Sequence, residues 1–514
     1  MLDSGIGSWP ARRARMTPGA RAFVQDDAVV TYAEVDRLVE AVARGLRARG
    51  VATGDRVAFL GLNSIELAVT LFATARLGAV FLPLNTRLAP PELAWILTDA
   101  EPALLIHADD FDEAVSAEAV ATLGLPSHRF NAAGGHGLDT LAIEPAGERA
   151  GETAGRIDVE VGPDDVFMIQ YTSGTSGRPK GVMLTHGNIA WNAFNLLVDV
   201  DIRSDEIALV TAPLFHTAAL NQVLLPTFLK GGTSLIAARF DPAKAIATIE
   251  RERVTLLFGV TSMYQALAQE PTWASADLDS LRSALSGGAP IPRTLLDTWQ
   301  SRGLHIIQGY GLTEASPGTT MLRAGDGLDK LGSAGTPCFF TDVRVVAPGG
   351  EDATPGHPGE VHVSGPNVTP GYWHNGAATE AAFDGPWLRT GDVAVLDDDG
   401  FLYVVDRVKD MFISGGENVY PAEVEQAVYT HPDVAEAAVI GVPDERWGEV
   451  GRAVVVRRPD SALTQDDLLK HLDGRLARYK IPKAVVFVDE IPHNASGKLL
   501  KSRVRELYGT PEGQ

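Results

Sequence analysis

RVAFLGLNSIELAVTLFATARLGAVFL, residues 56–82, sets two short apolar runs on either side of a longer apolar stretch. Arg56–Leu60 reads as a buried strand, Ile65–Leu77 as a helix and Ala79–Leu82 as a strand again, because short runs bounded by turn residues suit strands and the longer run suits a helix. A strand, a helix and a strand in succession predict a parallel sheet covered by helices. The same texture extends outward from about Thr31 to Val260. Glu34–Arg49 is an amphipathic helix, and further strands are expected at Ile207–Thr211 and Val254–Phe258. From Gly335 to Tyr403 the texture changes to short strands between Gly, Pro and Asp turns, among them Val343–Val346 and Gly359–Val363, which predicts a mostly antiparallel unit.

The charged pentapeptide Asp406–Asp410 is the best candidate boundary. Beyond it a helix is expected at Pro421–Tyr429, strands at Ala435–Val442 and Arg452–Val456, a helix at Thr464–Leu476 and a strand at Ala484–Val488, enough for a small α/β domain. The expected fold class is therefore α/β in a multidomain α+β chain. A large N-terminal domain, 1–408, would hold two helix-covered sheets plus a small β unit, and a small C-terminal α/β domain would span 409–514. A chain of 514 residues is too long for one hydrophobic core. Ala146–Gly155 is polar and Gly/Ala-rich and reads as a loop.

A formal net charge of −22 and a pI near 4.9 argue against nucleic acid as a partner, which demands a basic stripe. An anionic substrate must then be met by a local positive site. The lone cysteine, Cys338, forms no internal disulfide or cysteine metal cluster and fits a reducing compartment. Arg12-Arg13 is not followed by the apolar stretch of an export signal, and Ala68–Ala75 is cut short by Arg76 before it could span a bilayer. A cytoplasmic protein without a transmembrane segment is expected, with any membrane contact peripheral. Asn367-Val-Thr369 and Asn494-Ala-Ser496 match the glycosylation pattern, which carries no meaning without secretion.

The chemistry concentrates in a few segments. Tyr171–Gly181, YTSGTSGRPKG, follows the strand-like Val166–Gln170 and has the composition of a phosphate-holding loop: glycines for close backbone approach, hydroxyls as donors, Lys180 for charge. It is not a Walker loop. Pro179-Lys180-Gly181 replaces the Gly-Lys-Ser/Thr ending, and Arg178 before a proline is held extended, so no helix starts at the lysine. Ser286–Pro290 and Gln308–Glu314 are glycine turns at strand ends, where open α/β sheets bind ligands. Together they form a slot for a flat base, with Tyr310 stacking on it. Glu314 offers a hard oxygen that implies Mg2+ beside a phosphate loop. Asp392, in Arg389–Asp392, suits a ribose, with Arg407 assisting. Pro213–His216 sets Phe215 and His216 beside an apolar helix, Leu220–Leu229, as the wall of a greasy pocket. Ile491–Lys498 is a turn presenting a lysine. Each segment alone also has a bland reading as a surface turn, a packed histidine or a charged tail.

YTSGTSGRPKG, PLFH, SGGAP, QGYGLTEAS, GEVHVSGPNVTPGYW, LRTGD, VDRVKDMFISGGENVYPAEVE, AVIGVPDERWGE and PHNASGKLLK occur in this order between Thr31 and Arg505. Together they resemble the adenylate-forming superfamily, and within it the acyl-CoA synthetases, closest to bacterial fatty-acid and feruloyl (hydroxycinnamate) CoA ligases. The resemblance implies a two-step reaction. A carboxylic acid and ATP give acyl-AMP and pyrophosphate, and CoA then displaces AMP; ATP, Mg2+ and CoA are the expected cofactors and co-substrates. Lys498 would bridge carboxylate and phosphate, Thr313 would contact phosphate, and Glu314 would hold the metal. Thr172, Ser173, Gly174, Thr175, Ser176, Gly177 and Lys180 would line the phosphates. Gly288, Ala289, Pro290, Gln308, Gly309, Tyr310 and Gly311 would enclose adenine, and Asp392 with Arg407 would hold the ribose. His216 would gate an acyl pocket walled by Phe215, Gly259 and Val260. A hinge at Lys409 would turn the mobile C-terminal domain between the two steps, withdrawing Lys498 and bringing Gly415 and Gly416 to CoA.

Two positions depart from the family pattern, Ser176 where Thr is usual and Thr261-Ser262 where Pro-Thr is common. A medium or long fatty acid is the first expected substrate and a hydroxycinnamate or other aromatic acid the alternative. An acyl-AMP ligase that loads a carrier protein and a non-catalytic binding protein are the competing classes. A monomer or homodimer is expected.

Overall fold

In the computed structural model of the chain, the stretch 56–82 forms the strand Arg56–Leu60, the helix Ile65–Arg76 and the strand Val80–Pro83, the two strands parallel with Arg56 beside Val80. Ser64 starts the helix by accepting from the Leu67 amide at 3.1 Å. All its residues are buried, as expected of a helix that is apolar nearly all round. Arg76 would be costly there alone, and it meets Asp36 and Glu40 at 3.0 Å each. Both acids come from the helix Tyr32–Ala48, which Thr31 and Glu34 open with a reciprocal capping box.

The structure describes residues 5–131, 137–143, 156–157, 159–172, 179–288, 291–323, 326, 330, 332–407, 410–414, 417–444, 447–473, 475–493 and 499–510. The expected loop Ala146–Gly155 lies outside them. The chain divides into two compact units, Met1–Val343 with Val363–Leu388, and Arg344–His362 with Arg389–Gln514. Among the described residues no helix is long and apolar enough to cross a membrane.

The first unit holds two sheets. In one, the strands run Gly371–Tyr372, Lys180–Thr185, Val166–Thr172, Val80–Pro83, Arg56–Leu60, Leu104–Ala108, Ser127–Phe130. The other runs Thr336–Pro337, Gly318–Leu322, Ile306–Gly311, Ser283–Gly287, Leu256–Gly259, Ile207–Val210, Thr233–Ile236, Arg21–Gln25, Ala28–Thr31. The middles of both are parallel; the second sheet ends in antiparallel strands at both edges, the first only at its Gly371–Tyr372 and Lys180–Thr185 edge, its Ser127–Phe130 edge staying parallel, so the expected parallel sheets are present. One apolar core, with Phe59, Phe72 and Phe81 on one side and Val210, Phe258 and Leu285 on the other, serves both sheets. The opposite face of the second sheet packs on Tyr264 and Trp299, and that of the first on Leu93, Ile96 and Leu97.

The strand Trp387–Leu396, in the second unit from Arg389 on, turns back into Leu402–Arg407. A further sheet is built on the long antiparallel pair Val434–Asp444 and Gly448–Arg457, with Ala484–Val488 parallel to the latter and Phe412–Ser414 and Glu417–Val419 beyond it. The helix Pro421–Tyr429 and the strand Ala484–Val488 fall where the sequence places them. The expected helix Thr464–Leu476 is shorter, Gln465–Leu472, because Asp473 already has extended backbone. The last described element is the helix Lys501–Tyr508.

Candidate active site

Ile207–Val210, Leu256–Gly259, Ser283–Gly287 and Ile306–Gly311 are adjacent parallel strands, so the segments that leave their carboxyl ends leave the same edge of the sheet. Those segments carry Pro213–His216, Val260, Gly288 and Thr313–Glu314 in that order. Gly259 is level with Ser286, which is level with Gln308; Gly287 is level with Gly309. Gly288 has φ +86°, a left-handed turn that glycine makes at little cost. Ala289 and Pro290 lie outside the described residues. Gln308 Oε1 accepts from the Ile291 amide at 3.3 Å. Gln308 Nε2 and Ser286 Oγ are buried without a hydrogen-bond partner among the described residues, so neighbouring strands offer two polar atoms to a ligand. Gly259 has a packing reason instead: a Cβ there would meet the Tyr264 ring at 3.2 Å and Met263 Cβ at 3.4 Å.

The two ends of the segment Tyr171–Gly181 lie in paired antiparallel strands. Thr172 pairs with Lys180 and Tyr171 with Gly181, so the residue after Pro179 enters an antiparallel strand and not a helix. Ser173, Gly174, Thr175, Ser176 and Gly177 lie outside the described residues. Lys180 Nζ sits 5.0 Å from the centroid of the Tyr372 ring, within cation–π range. The Tyr372 hydroxyl donates to Glu314 Oε1 at 2.9 Å. Burial first, then the Glu314 charge, raises the Tyr372 pKa, so the phenol stays protonated and remains a donor.

Thr313 and Glu314 form a short turn, Thr313–Ala315, that Asn367 clasps. Its amide donates to the carbonyls of Ala315 and Gly318, 2.8 Å each, and its oxygen accepts from Thr341 at 2.9 Å. The sequon Asn367-Val-Thr369 is thus buried structure, with Thr369 N donating to the Glu314 carbonyl at 2.7 Å. Sequence reading missed Tyr372 and Asn367 as site residues. Both lie in the quoted stretch GEVHVSGPNVTPGYW, but no spacing rule links Tyr372 to a carboxylate 58 positions away.

His216 closes the segment after Val210. Asn63 fixes that segment, accepting from Leu214 N at 2.7 Å and donating to the carbonyls of Ala212 and Ala237 at 2.9 and 3.2 Å. Gln170 Nε2 reaches across from the hairpin strand to the Phe215 carbonyl at 3.2 Å, and the Phe215 and His216 rings lie 4.5 Å apart. Burial first, then Arg87, lowers the His216 pKa to about 4, so the ring is neutral near pH 7. Its Nε2 is buried without a partner among the described residues. The predicted helix Leu220–Leu229 is in fact a π-helical turn, Leu220–Leu224, running into the helix Leu225–Lys230. Pro226 has no N–H for the regular ladder, and the register widens just ahead of it.

In the second unit Asp392 and Arg407 are direct partners across the Trp387–Leu396 and Leu402–Arg407 pair. Gly391 has φ +71°, and Asp392 N donates to Thr390 Oγ1 at 3.1 Å. The two residues read as ribose ligands are thereby neighbours. Lys409, Gly415, Gly416 and Lys498 lie outside the described residues. The chain on either side of Lys498 is joined by a bridge between His493 and Leu499, and His493 Nε2 meets Glu436 Oε1 at 2.6 Å.

The chain matches the AMP-binding enzyme family over residues 10–373 and the AMP-binding enzyme C-terminal domain over residues 423–498. It belongs to the AMP-binding enzymes. A feruloyl-CoA synthase of an Amycolatopsis species is 52% identical over 99% of this chain and 100% of its own. A long-chain-fatty-acid–CoA ligase of Mycobacterium tuberculosis is 39% identical over 98% of each. Among solved structures, the Bacillus subtilis o-succinylbenzoate CoA synthetase in complex with ATP and magnesium ion matches at a TM-score of 0.86 and 34% identity, covering 97% of this chain and 99% of that one.

In this AMP-binding enzyme the Glu314 carboxylate would fit a magnesium ion. Among the described residues no three His, Cys, Asp or Glu side chains gather as a metal cluster. One hard carboxylate suits Mg2+, which keeps most of its shell as water and phosphate oxygen and is seldom held by an all-protein cage.

Proposed function

We propose that the acid taken by this ATP-dependent acid–CoA ligase is a hydroxycinnamate such as ferulate. The observation that carries the reading is the 52% identity to a feruloyl-CoA synthase along nearly the whole chain, against 39% for the fatty-acid ligase. The aromatic alternative therefore replaces the fatty acid as the first reading. A neutral His216 ring beside Phe215 suits a flat apolar acyl group.

The residues divide the work by chemistry. Carboxylate and α-phosphate are both anions, so their approach needs neutralising charge. Lys180, the backbone donors of Thr172 to Gly177 and Glu314 with its metal serve the phosphates; bound Mg2+ supplies positive charge to the ATP oxygens. Gly288 to Pro290 and Gln308 to Gly311 enclose adenine, and Asp392 with Arg407 holds the ribose. Thr313 contacts phosphate. Lys498 joins carboxylate and phosphate in the first step, Lys409 is the hinge between the 1–408 and 409–514 domains, and Gly415 and Gly416 serve CoA in the second step.

The test is a panel of hydroxycinnamates and C8 to C16 fatty acids with ATP, Mg2+ and CoA, followed by mass detection of the thioester and by AMP release. Ferulate should exceed the fatty acids in kcat/KM by about a hundredfold, a transition-state difference of about 2.7 kcal/mol. A fatty acid ahead of ferulate, or AMP release without thioester, overturns the reading. In the same assay Lys498→Ala should stop pyrophosphate release while thioester still forms from supplied acyl-AMP; equal loss of both steps removes the lysine from its role.

A further inference from the structure

Two opposite charges on which ATP chemistry depends, Lys180 and Glu314, form no ion pair among the described residues, and one neutral side chain engages both. That side chain is Tyr372. Its backbone is fixed twice, by strand pairing opposite Val182 and by a 2.9 Å hydrogen bond from its N–H to Thr379 Oγ1. The next residue, Trp373, donates its N–H to the Gly181 carbonyl at 2.7 Å, tying the same short strand to the residue after Lys180. The ring face carries the Lys180 ammonium and the hydroxyl donates to Glu314 Oε1, leaving Oε2 without a protein donor among the described residues.

A direct Lys180–Glu314 salt bridge would cancel the positive charge meant for phosphate and occupy the carboxylate meant for the cation. A tyrosine avoids this, because the π-face attracts a cation without neutralising it and the hydroxyl donates without adding charge. We propose that Tyr372 is a positioning residue that keeps Lys180 and Glu314 from pairing, presenting the ammonium to the ATP phosphates through its ring and the carboxylate to Mg2+ through its hydroxyl. The inference rests on the reading that Lys180 and Glu314 serve Mg-ATP.

The two arms separate by substitution. Tyr372→Phe keeps the ring under Lys180 and removes only the donor to Glu314; Tyr372→Leu removes both. ATP binding is titrated calorimetrically at a series of Mg2+ concentrations, without acid or CoA, so that no chemistry runs. Tyr372→Phe should bind ATP as the wild type does at saturating Mg2+ but need about tenfold more Mg2+ to reach it, as expected for a lost hydrogen bond to a charged group. Tyr372→Leu should in addition lose about three- to tenfold in ATP affinity at saturating Mg2+. An unchanged Mg2+ dependence in Tyr372→Phe overturns the proposal, and so does a Phe variant as weak as the Leu variant at saturating Mg2+. Wild-type binding that ignores Mg2+ would instead overturn the reading of Glu314, so the two failures are distinguishable. The Phe variant fills the same core space, which keeps the test available should the Leu variant fail to fold.

Discussion

Gly309 and Gly311 stand two apart in one strand and are glycines for different reasons. A Cβ at Gly311 would lie 1.7 Å from the Pro317 carbonyl oxygen, where the chain folds back after the Glu314 turn. A Cβ at Gly309 would meet nothing nearer than the Thr320 carbonyl oxygen at 3.5 Å, an ordinary contact. The first glycine is required by backbone packing, and the second leaves room at the strand end. Gly311→Ala should therefore destabilise the protein by about 1–3 kcal/mol or more in urea titration, as overpacking does. Gly309→Ala should change stability by less than about 0.5 kcal/mol, as a substitution free of such a mechanism does. If that room belongs to adenine, Gly309→Ala should raise the KM for ATP severalfold. Unchanged KM values in a stable Gly309→Ala enzyme would show that no substrate uses the space. Asn367 teaches a related lesson. As a sequon it predicts nothing, yet buried it ties the end of the Glu314 turn at Ala315 to the start of the next strand at Gly318.

At the scale of elements, the strand–helix–strand of 56–82 was legible because both strands are short apolar runs and the helix a longer one between them. The setting of Tyr171–Gly181 was half legible: Pro179 ruled out a helix at the lysine, but nothing in the loop's composition announces the antiparallel pairing of Thr172 with Lys180. The π-helical turn at Leu220–Leu224 was hidden because an apolar run shows the same residues whichever ladder it follows. Asn63 was hidden too, since its partners at Ala212, Leu214 and Ala237 are remote in sequence. Together with Gln170 this side chain holds the Pro213–His216 segment, and Asn63→Ala strands a buried N–H, a buried carbonyl and a part-buried carbonyl. The expected cost is about 2–4 kcal/mol in denaturant unfolding, from one to three per unsatisfied group with partial relaxation. Because the segment carries Phe215 and His216, the KM for the acid should rise more than the KM for ATP. Equal effects on both, or none on either, would mean that the segment holds its place without Asn63.

For the molecule as a whole, two buried histidines set a limit on the acid side. His216 and His186 are both held at about 4, in each case chiefly by burial, with Asp165 opposing the effect at His186. His186 Nδ1 accepts from the Ile6 amide at 3.0 Å, which fixes a neutral ring with its proton on Nε2 and ties the N-terminal segment to the helix His186–Asp199. The unfolded chain takes up protons at these positions near pH 6.5, the ordinary histidine value, while the folded chain does not until about pH 4. Between those values the unfolded state carries more protons, so stability rises with pH through the window and falls as the solution is acidified. Each histidine contributes a slope of up to about 1.4 kcal/mol per pH unit there and none above it. Urea midpoints should hence be level from pH 8 to 7 and drop between pH 6.5 and 4.5. His186→Asn places an acceptor where Nδ1 stood and cannot titrate, so it should remove up to one proton's worth of that slope while leaving the plateau lower by a constant amount. A variant whose midpoint falls with acidification as steeply as the wild type would show that His186 takes up its proton in the folded state as readily as in the unfolded one.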